Sequence, residues 1–347
     1  MAWGVVATVS EPDALVLAFV ATCLARGAAE VRLFLDRPQP SLEARLARIP
    51  ACIVTACDDV HWAAVPGGRP WAPDQRQRSN LQRAYDASTL DWILHVDADE
   101  MLHGAGDVGE ALAALPALVD FALVPVAERV YLAPPDPLDI FDGVFRRPCG
   151  PRRQAEVDAI DGPAAPCLRE GMTCYVGGKG FLRTGRGLAV GIHAPEGLAP
   201  DRRARLDGFL ILHFDGLTPR SWAWKKRRRL AQQPGWQAMA SSARRNQMAA
   251  VAASGGDEEG PARLYLALRQ LDPVRAAALD GMGLILRPNL DVGAALAAFV
   301  PGPMPDLSVE AFDRTQLGYE PITRWWRVRA RIRRLVKWAR PDPAARR

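Results

Sequence analysis

Residues 91–100, DWILHVDADE, decide the fold of this 347-residue chain. The apolar run over residues 92–96 is typical of a strand buried on both faces of a parallel sheet. Three carboxylates, Asp97, Asp99 and Glu100, follow at the carboxyl end of that strand, where open α/β sheets bind their ligands. The stretch therefore predicts a central strand with an acidic site at its tip.

These carboxylates repel one another unless a cation is shared or water solvates them. A hard divalent ion with oxygen ligands, Mn²⁺ or Mg²⁺, is the simplest such cation, so we expect Asp97 and Asp99 to bind metal. His213, at the end of the apolar run in residues 208–215, is a further candidate metal ligand. The alternatives are a helix N-cap for the acids and a packed, hydrogen-bonded side chain for the histidine.

The first sixty residues alternate short β-branched runs with helical segments. Strands are expected over residues 3–9, 30–35 and 52–56, and helices over residues 10–26 and 41–48. This order predicts an α/β fold with a Rossmann-like, mostly parallel, doubly wound sheet. Asp36 ends the second strand, where such folds place an acid near a ribose or base; a simple turn residue before Pro38 is the alternative.

The next segment, residues 60–73, is rich in glycine and proline. It is expected to be irregular and exposed, with His61, Trp62 and Trp71 as contact residues.

A helix is expected over residues 74–88, ahead of the acidic stretch. Three polar side chains near its start, Arg76, Gln77 and Asn80, could approach a bound nucleotide from that side. An ordinary solvated helix face is the alternative.

Two later segments carry mixed charge and turn residues. Residues 134–170 are rich in proline, aspartate and arginine, which suggests an insertion over the site or an acceptor loop, with disorder as the alternative. Residues 172–190 are expected to form short strands broken by glycines. Lys179, Arg183 and Arg186 lie among those glycines and could contact phosphate or an acidic acceptor; the alternative is a Gly-rich hairpin with surface cations.

The C-terminal third is expected to be helical. We predict a first domain over residues 1–218, a helical region over 219–323 and a basic tail over 324–347, which holds ten basic residues and one acid. Residues 324–340 have the pattern of an amphipathic helix lying on an anionic membrane surface. Docking on the protein body and an RNA-binding arm are alternatives, of which a nucleic-acid partner is the less expected.

Composition excludes some classes of protein. The six cysteines contain no C-x-x-C pair, which predicts neither a zinc site nor a disulfide framework. The longest apolar stretch, residues 14–25, is too short to span a bilayer, and no secretory signal is visible. A cytoplasmic protein, peripheral at the inner face of the plasma membrane if the tail binds lipid, is expected.

Over about residues 3–230 the chain resembles the bacterial family 2-like glycosyltransferases with a GT-A fold. The resemblance is carried by Thr8 to Pro12, Arg76-Gln77 with Asn80, residues 91–100, and Leu210 to Phe214. It implies a nucleotide-diphosphate sugar donor, with Mn²⁺ or Mg²⁺ held on the diphosphate, and a glycan or lipid-linked acceptor in cell-surface polysaccharide synthesis.

The resemblance also implies residue roles. Asp97 would lie near the ribose or metal, Asp99 would be the direct metal ligand, Glu100 would shape the donor pocket, and His213 would match the family's late histidine. Glu11 and Lys179 complete the expected donor contacts, and Asp99 with Glu100 are the expected catalytic residues.

The chain departs from the family pattern in two places. The family's opening Asn-Glu pair is replaced by Ser10-Glu11, and no Glu-Asp pair follows the acidic motif, which leaves the general base unassigned. The candidates for it are Asp142, Glu156, Asp158, Asp161 and Glu170.

Two other functions remain open. A nucleotidyltransferase would share the acidic site, but it usually has a Gly-rich basic loop after the first strand, where this chain has Ser10-Glu11-Pro12. A non-enzymatic protein that binds membrane or RNA through its basic tail is the second alternative.

Overall fold

The computed structural model describes residues 1–133, 137–232, 240–255, 257 and 259–317. The strands are β1 (Trp3–Val9), β2 (Glu30–Leu35), β3 (Cys52–Ala56), β4 (Trp92–His95), β5 (Glu100–Gly104), β6 (Phe121–Val124), β7 (Val126–Leu132), β8 (Val144–Arg146), β9 (Lys179–Arg183), β10 (Arg203–Arg205), β11 (Phe209–His213), β12 (Gln270–Leu271) and β13 (Ile285–Leu286).

The helices alternate with these strands in the first half of the chain and dominate the second half. They are α1 (Asp13–Ala25), α2 (Pro40–Leu46), α3 (Asp59–Ala63), α4 (Pro73–Asp86), α5 (Val108–Ala113), α6 (Gln154–Asp161), α7 (Pro219–Gln232), α8 (Ser242–Ala253), α9 (Glu259–Arg269), α10 (Pro273–Gly281), α11 (Val292–Phe299) and α12 (Val309–Leu317), with short 3₁₀ helices at Pro151–Arg153, Gly162–Cys167 and Pro200–Arg202.

The first sheet has seven strands in the order β10-β6-β9-β4-β1-β2-β3. The strands β4, β1, β2 and β3 are parallel neighbours, whereas β9 runs antiparallel to β4 and β6. Every residue of β4 is buried, as expected of a strand covered on both faces. The first three strands have the predicted bounds, so the expected α/β fold with a mostly parallel sheet is confirmed for this part.

A second sheet was not predicted from the sequence. Its strands have the order β13-β8-β7-β11-β5, and β12 pairs with β7. β5 begins directly after the acidic motif and runs antiparallel to β11, with Glu100 opposite His213. The acidic motif is therefore the link between the two sheets, and the second sheet brings the 208–215 run to its side.

Residues 60–73 differ from the expectation of an exposed loop. Asp58 caps α3 by accepting a 2.8 Å hydrogen bond from the His61 backbone N–H. His61 and Trp62 are 8% and 2% exposed, so the prediction that they are surface contacts was wrong. Of the three residues, only Trp71 is exposed.

One further expectation was partly wrong, and the alternative of disorder does not hold for residues 137–170. Residues 172–190 contain a single strand, β9, where several short strands were expected. Within residues 137–170 the chain is ordered as β8, α6 and 3₁₀ turns, and the buried Arg146–Asp161 ion pair (2.7 Å) joins β8 to α6.

The described residues between 219 and 317 form mostly helices, α7 to α12, together with the short strands β12 and β13. Trp222 of α7 is fully buried against Tyr265 of α9. The amphipathic tail over residues 324–347 lies outside the described residues. Within the described part of the chain, no helix combines the length and the apolar character needed to cross a membrane.

Candidate functional site

The acidic motif forms a tight link between β4 and β5. The Asp97 backbone N–H donates a 2.8 Å hydrogen bond to Oε2 of Glu100, and the Asp99 carbonyl accepts one of 2.8 Å from the Phe214 N–H. Val96 and Ala98 are buried in the main core. The burial of Val96 and Ala98 therefore holds the motif in place, while the side chains of Asp97 and Asp99 contact polar groups.

Lys179, the first residue of β9, lies between two of the acids. Its ammonium nitrogen is 3.1 Å from Oδ2 of Asp97 and 3.2 Å from Oε2 of Glu100, and its side chain is 1% exposed. Burial alone would lower the pKa of Lys179, but the two carboxylates raise it above its usual range. Burial would likewise raise the pKa of Asp97, but Lys179 outweighs this and holds that pKa well below its usual range.

Glu100 is buried more completely than its neighbours in the motif. Burial raises its pKa, and Lys179 offsets this only in part. The Tyr175 hydroxyl donates a hydrogen bond to Oε1 of Glu100. The pKa of Tyr175 is raised well above its usual value, first by burial and then by the Glu100 charge.

The helix α4 also contacts the motif. Gln77 donates a 2.6 Å hydrogen bond to Oδ1 of Asp97, and its role in binding a nucleotide stays a prediction. Arg76 pairs with Asp36 through contacts of 2.8 and 2.7 Å, and Arg69, which the sequence did not single out, pairs with the same carboxylate at 2.8 Å. Asp36 is thus held by two guanidinium groups.

Asn80 is fully buried and lies one layer below these residues. Its side-chain oxygen is 2.9 Å from Nε2 of His61, and its amide donates a 3.1 Å hydrogen bond to the Thr8 hydroxyl. These contacts tie α4 to α3 and to β1. The contacts of Asn80 position the helix that carries Gln77.

Lys225 of α7 was missed by the sequence reasoning. Its ammonium nitrogen is 2.8 Å from Oδ2 of Asp99. Burial alone would lower the pKa of Lys225. The charge of Asp99, and to a smaller extent that of Glu11, instead raises this pKa above its usual range. The signal in the sequence was the basic run over residues 225–229, which does not reveal which cation faces an acid.

Glu11 completes the acidic group at the end of β1. Its carboxylate accepts a 2.7 Å hydrogen bond from the Ser10 backbone N–H. Burial raises its pKa, Lys225 opposes this, and the charges of Asp99 and Asp97 add to it. The charges of Asp97 and Asp99 therefore reach Glu11, and the assignment of these residues to one donor site stays a prediction.

His213 lies beside this group at the end of β11. Its Nδ1 is buried and has no hydrogen-bond partner among the described residues. Its ring centroid is 5.3 Å from that of Tyr175. A buried imidazole nitrogen without a partner is available to a ligand or ion.

A second set of potential metal ligands includes the same histidine. Ligand atoms of Cys174, His213 and Asp215 lie within 4.8 Å of one another, the one such triplet of His, Cys, Asp or Glu found in the described part of the chain. Asp215, however, is 2.9 Å from Arg269, and Arg244 lies 3.0 Å from the Cys174 sulfur. Burial raises the pKa of Cys174 to about 12. A neutral thiol beside two guanidinium groups is a poor cation site.

The five candidate general bases contact residues outside the acidic motif. Asp161 is held by Arg146 and Arg275, and Asp142 accepts the backbone N–H groups of Leu138 and Asp139. Three others contact neighbours in the same segment: Glu156 pairs with Arg153, Asp158 accepts from Gln154, and the Glu170 N–H donates to Gln154.

Comparison with known proteins leaves the family open. No family model matches the chain, and no curated protein matches it. Three solved structures show weak similarity to this chain. They are HddC from Yersinia pseudotuberculosis (9% identity, TM-score 0.27, 38% of this chain and 60% of that one), S. aureus TarS 1-349 (12%, 0.30, 80% and 83%) and S. aureus TarS (10%, 0.28, 72% and 42%). The chain thus spans less than two thirds of HddC, and we draw no conclusion on fold or activity from likenesses at these TM-scores.

Proposed function

We propose that the protein is a metal-dependent glycosyltransferase of the GT-A type, which moves a sugar from a nucleotide-diphosphate donor to a glycan or lipid-linked acceptor. The observation that supports this most is the meeting of four carboxylates, those of Glu11, Asp97, Asp99 and Glu100, with two lysines at the ends of β1 and β4. The lysines are Lys179 and Lys225.

The charges of this group suit a divalent cation. Fully ionised, the four carboxylates exceed the two ammonium groups by two negative charges, and burial raises the pKa of both Glu11 and Glu100. Carboxylate oxygens with one imidazole nitrogen form a donor set that Mn²⁺ accepts, and His213 offers its unpartnered Nδ1. We propose Asp97, Asp99 and His213 as the residues that would hold Mn²⁺ or Mg²⁺; because their ligand atoms do not all lie within 4.8 Å of one another in the described structure, these side chains would have to move closer together on binding.

When bound, the ion would neutralise the negative charge that develops on the leaving diphosphate. The chain's own residues would do the rest. Gln77 fixes the orientation of the Asp97 carboxylate through its 2.6 Å hydrogen bond. Lys179 keeps Asp97 ionised, so that a negatively charged metal ligand is in place before the donor binds.

The same geometry suggests a role for the paired residues on the α4 side. Asp36 is buried and held by Arg69 and Arg76 at the end of β2, so its position is set before any ligand binds. We propose that this group borders the nucleoside part of the donor, with Glu11 between it and the acidic motif. The catalytic base on the acceptor hydroxyl stays unassigned, since Glu100, the most buried acid of the motif, is covered by Tyr175.

The test is a product assay combined with a thermal-shift screen. Purified protein is heated with a panel of nucleotide sugars, with and without Mn²⁺, and the donor that raises the melting temperature is incubated with candidate acceptors. Release of nucleoside diphosphate supports glycosyl transfer, whereas release of pyrophosphate would identify a nucleotidyltransferase. Stabilisation by no donor in the presence of Mn²⁺, with lipid or RNA binding intact, would favour the non-enzymatic alternative.

A further inference from the structure

A cleft of about 620 Å³ opens at the edge of the first sheet, beside β6 and β10. Phe121 and Leu123 of β6 form part of its floor, and Tyr175 and His193 form part of its wall. Its volume lies within the range of about 300 to 1,000 Å³ that is usual for ligand sites. The cleft is large enough for one or two sugar units.

Tyr175 connects this cleft to the acidic group. Its hydroxyl donates to the buried carboxylate of Glu100, while its ring lines the cleft. The same ring is 4.9 Å from the His193 ring and 5.3 Å from the His213 ring, measured between centroids. A molecule in the cleft would thus contact the side chain that holds Glu100.

None of the residues that line the cleft belongs to α4. Gln77 of α4 approaches one oxygen of Asp97, and Lys179 approaches the other. Lys179 follows directly on the wall segment of residues 175–178. Since Asp36 and Gln77 do not line the cleft, a donor bound through these two residues would leave the cleft for a second substrate.

Three arginines lie at the mouth of the cleft. Arg203 donates to the Leu198 carbonyl at 3.2 and 3.1 Å, and no carboxylate of the described residues forms an ion pair with it. Arg205 has an exposed partner, Asp207, at 3.0 Å, and Arg169 is 3.9 Å from its neighbour Glu170. The mouth therefore carries more positive than negative charge.

We propose that this cleft binds the acceptor, and that the acceptor is a sugar or polyol chain bearing anionic groups, phosphate or carboxylate. The proposal rests on the proposed function. The apolar floor suits the faces of sugar rings, the exposed guanidinium groups suit the anions along the chain, and Tyr175 places the end of the chain beside Glu100.

The first experiment measures binding of three oligomers of matched length by calorimetry at low salt. They are a glycerol phosphate oligomer, an oligogalacturonate and a neutral maltooligosaccharide. At least one anionic oligomer is expected to bind more tightly than the neutral one, with an affinity that falls as salt rises. The oligomer that binds identifies phosphate or carboxylate as the source of the charge. Equal affinity for all three would overturn the proposal.

Two kinds of variant locate the binding site. Arg203→Gln combined with Arg205→Gln is expected to weaken anionic oligomer binding about fivefold or more, because two charged contacts are lost. Gly177→Trp fills the cleft sterically, since a Cβ at this position meets nothing within 4 Å. The matched control is Arg48→Gln, an exposed arginine near the opposite edge of the same sheet, beyond α2. If Arg48→Gln weakens oligomer binding as much as the cleft variants do, the oligomer binds outside the cleft.

A parallel titration separates this proposal from the proposed function. Nucleoside diphosphate binding in Mn²⁺ is measured in the same variants and should be unchanged from the wild type. If the nucleotide binds and no oligomer does, the acceptor cleft is wrong and the donor site stands. If the oligomer binds through the arginines and no nucleotide binds, the proposed function fails and the anion-binding cleft stands.

Discussion

Lys225 lies against Asp99, with its ammonium nitrogen 2.8 Å from one carboxylate oxygen. The lysine belongs to α7 and the aspartate to the link between β4 and β5, so the helical C-terminal region supplies a residue to the site of the N-terminal sheet. Lys225 is therefore a cation in direct contact with Asp99, the residue that we propose as a metal ligand.

The first prediction concerns competition between Lys225 and the metal. Lys225→Met should tighten binding of Mn²⁺ alone about tenfold, because Asp99 no longer has a positive partner and two unit charges near a protein surface interact by up to ~4 kcal/mol at 4 Å. Free Mn²⁺ is measured by electron paramagnetic resonance without nucleotide. Arg229→Met, an exposed position on the same helix, is the control. Weaker Mn²⁺ binding by Lys225→Met would show that Lys225 does not compete with the metal ion for Asp99.

The second prediction concerns the hydroxyl of Tyr175. Tyr175→Phe removes the hydrogen bond to Glu100, and a hydrogen bond to a charged group contributes about 1.5–3 kcal/mol. Turnover should fall about tenfold or more while the KM for the donor stays near the wild-type value. Steady-state kinetics of Tyr131→Phe, which loses a hydroxyl contact to Tyr265 far from the acids, provide the comparison. Equal effects of the two substitutions would show that Tyr175 acts only through packing.

The third prediction concerns a buried ion pair in the 137–170 segment. Arg146 and Asp161 are 1% and 0% exposed, and Gly171 leaves no room for another side chain beside the guanidinium. Arg146→Ala should lower the free energy of unfolding by about 3 kcal/mol, because Asp161 stays buried with one weaker partner, Arg275. Urea denaturation of Arg287→Ala, which breaks an exposed pair with Asp280, should show a loss below ~1 kcal/mol. A loss of unfolding free energy below ~1 kcal/mol in Arg146→Ala would contradict the buried position of the Arg146–Asp161 pair.

The fourth prediction concerns pH. Burial lowers the pKa of His61 below 6.5, so the unfolded chain binds this proton more readily than the folded one. The stability that neutral His61 contributes is complete above pH ~6.5 and declines as the pH falls from there towards the lowered pKa. His61→Gln should therefore reduce the fall in unfolding free energy between about pH 7.5 and pH 5.5. An unchanged fall in the variant would show that other groups account for it.

The sequence predicted the parallel strands β1 to β4 of the first sheet well because they are continuous apolar runs with turn residues at their ends, whereas β10, Arg203–Arg205, is not apolar and was not predicted. β2 and β3 have the predicted bounds, and Gln77, which was predicted to approach a nucleotide, contacts Asp97, a pairing that was not predicted. The second sheet was missed because β5 pairs with β11, far away along the chain, and neither strand alone shows which partner it has. Long-range pairing of this kind has no local signal.

Lys225 could not be singled out for a related reason. The run of five cations over residues 225–229 looks uniform, and only the complete burial of Trp222 shows how α7 is rotated against the second sheet and α9. From that anchor, residues three and four positions later share the buried side of the helix, which accounts for Lys225 and Lys226. Trp222 itself is buried by tertiary packing, which the helical pattern does not specify.

The central claim is that Asp99 holds a divalent ion through which the protein binds a diphosphate. The most direct measurement is calorimetry of a panel of nucleoside diphosphates with Mn²⁺, on the wild type, on Asp99→Asn and on the exposed control Asp207→Asn. We predict that the wild type and the control bind one diphosphate only when Mn²⁺ is present, and that Asp99→Asn loses this binding while its circular dichroism spectrum is unchanged. Binding by Asp99→Asn equal to that of the wild type, or wild-type binding that does not require the metal, would contradict the claim.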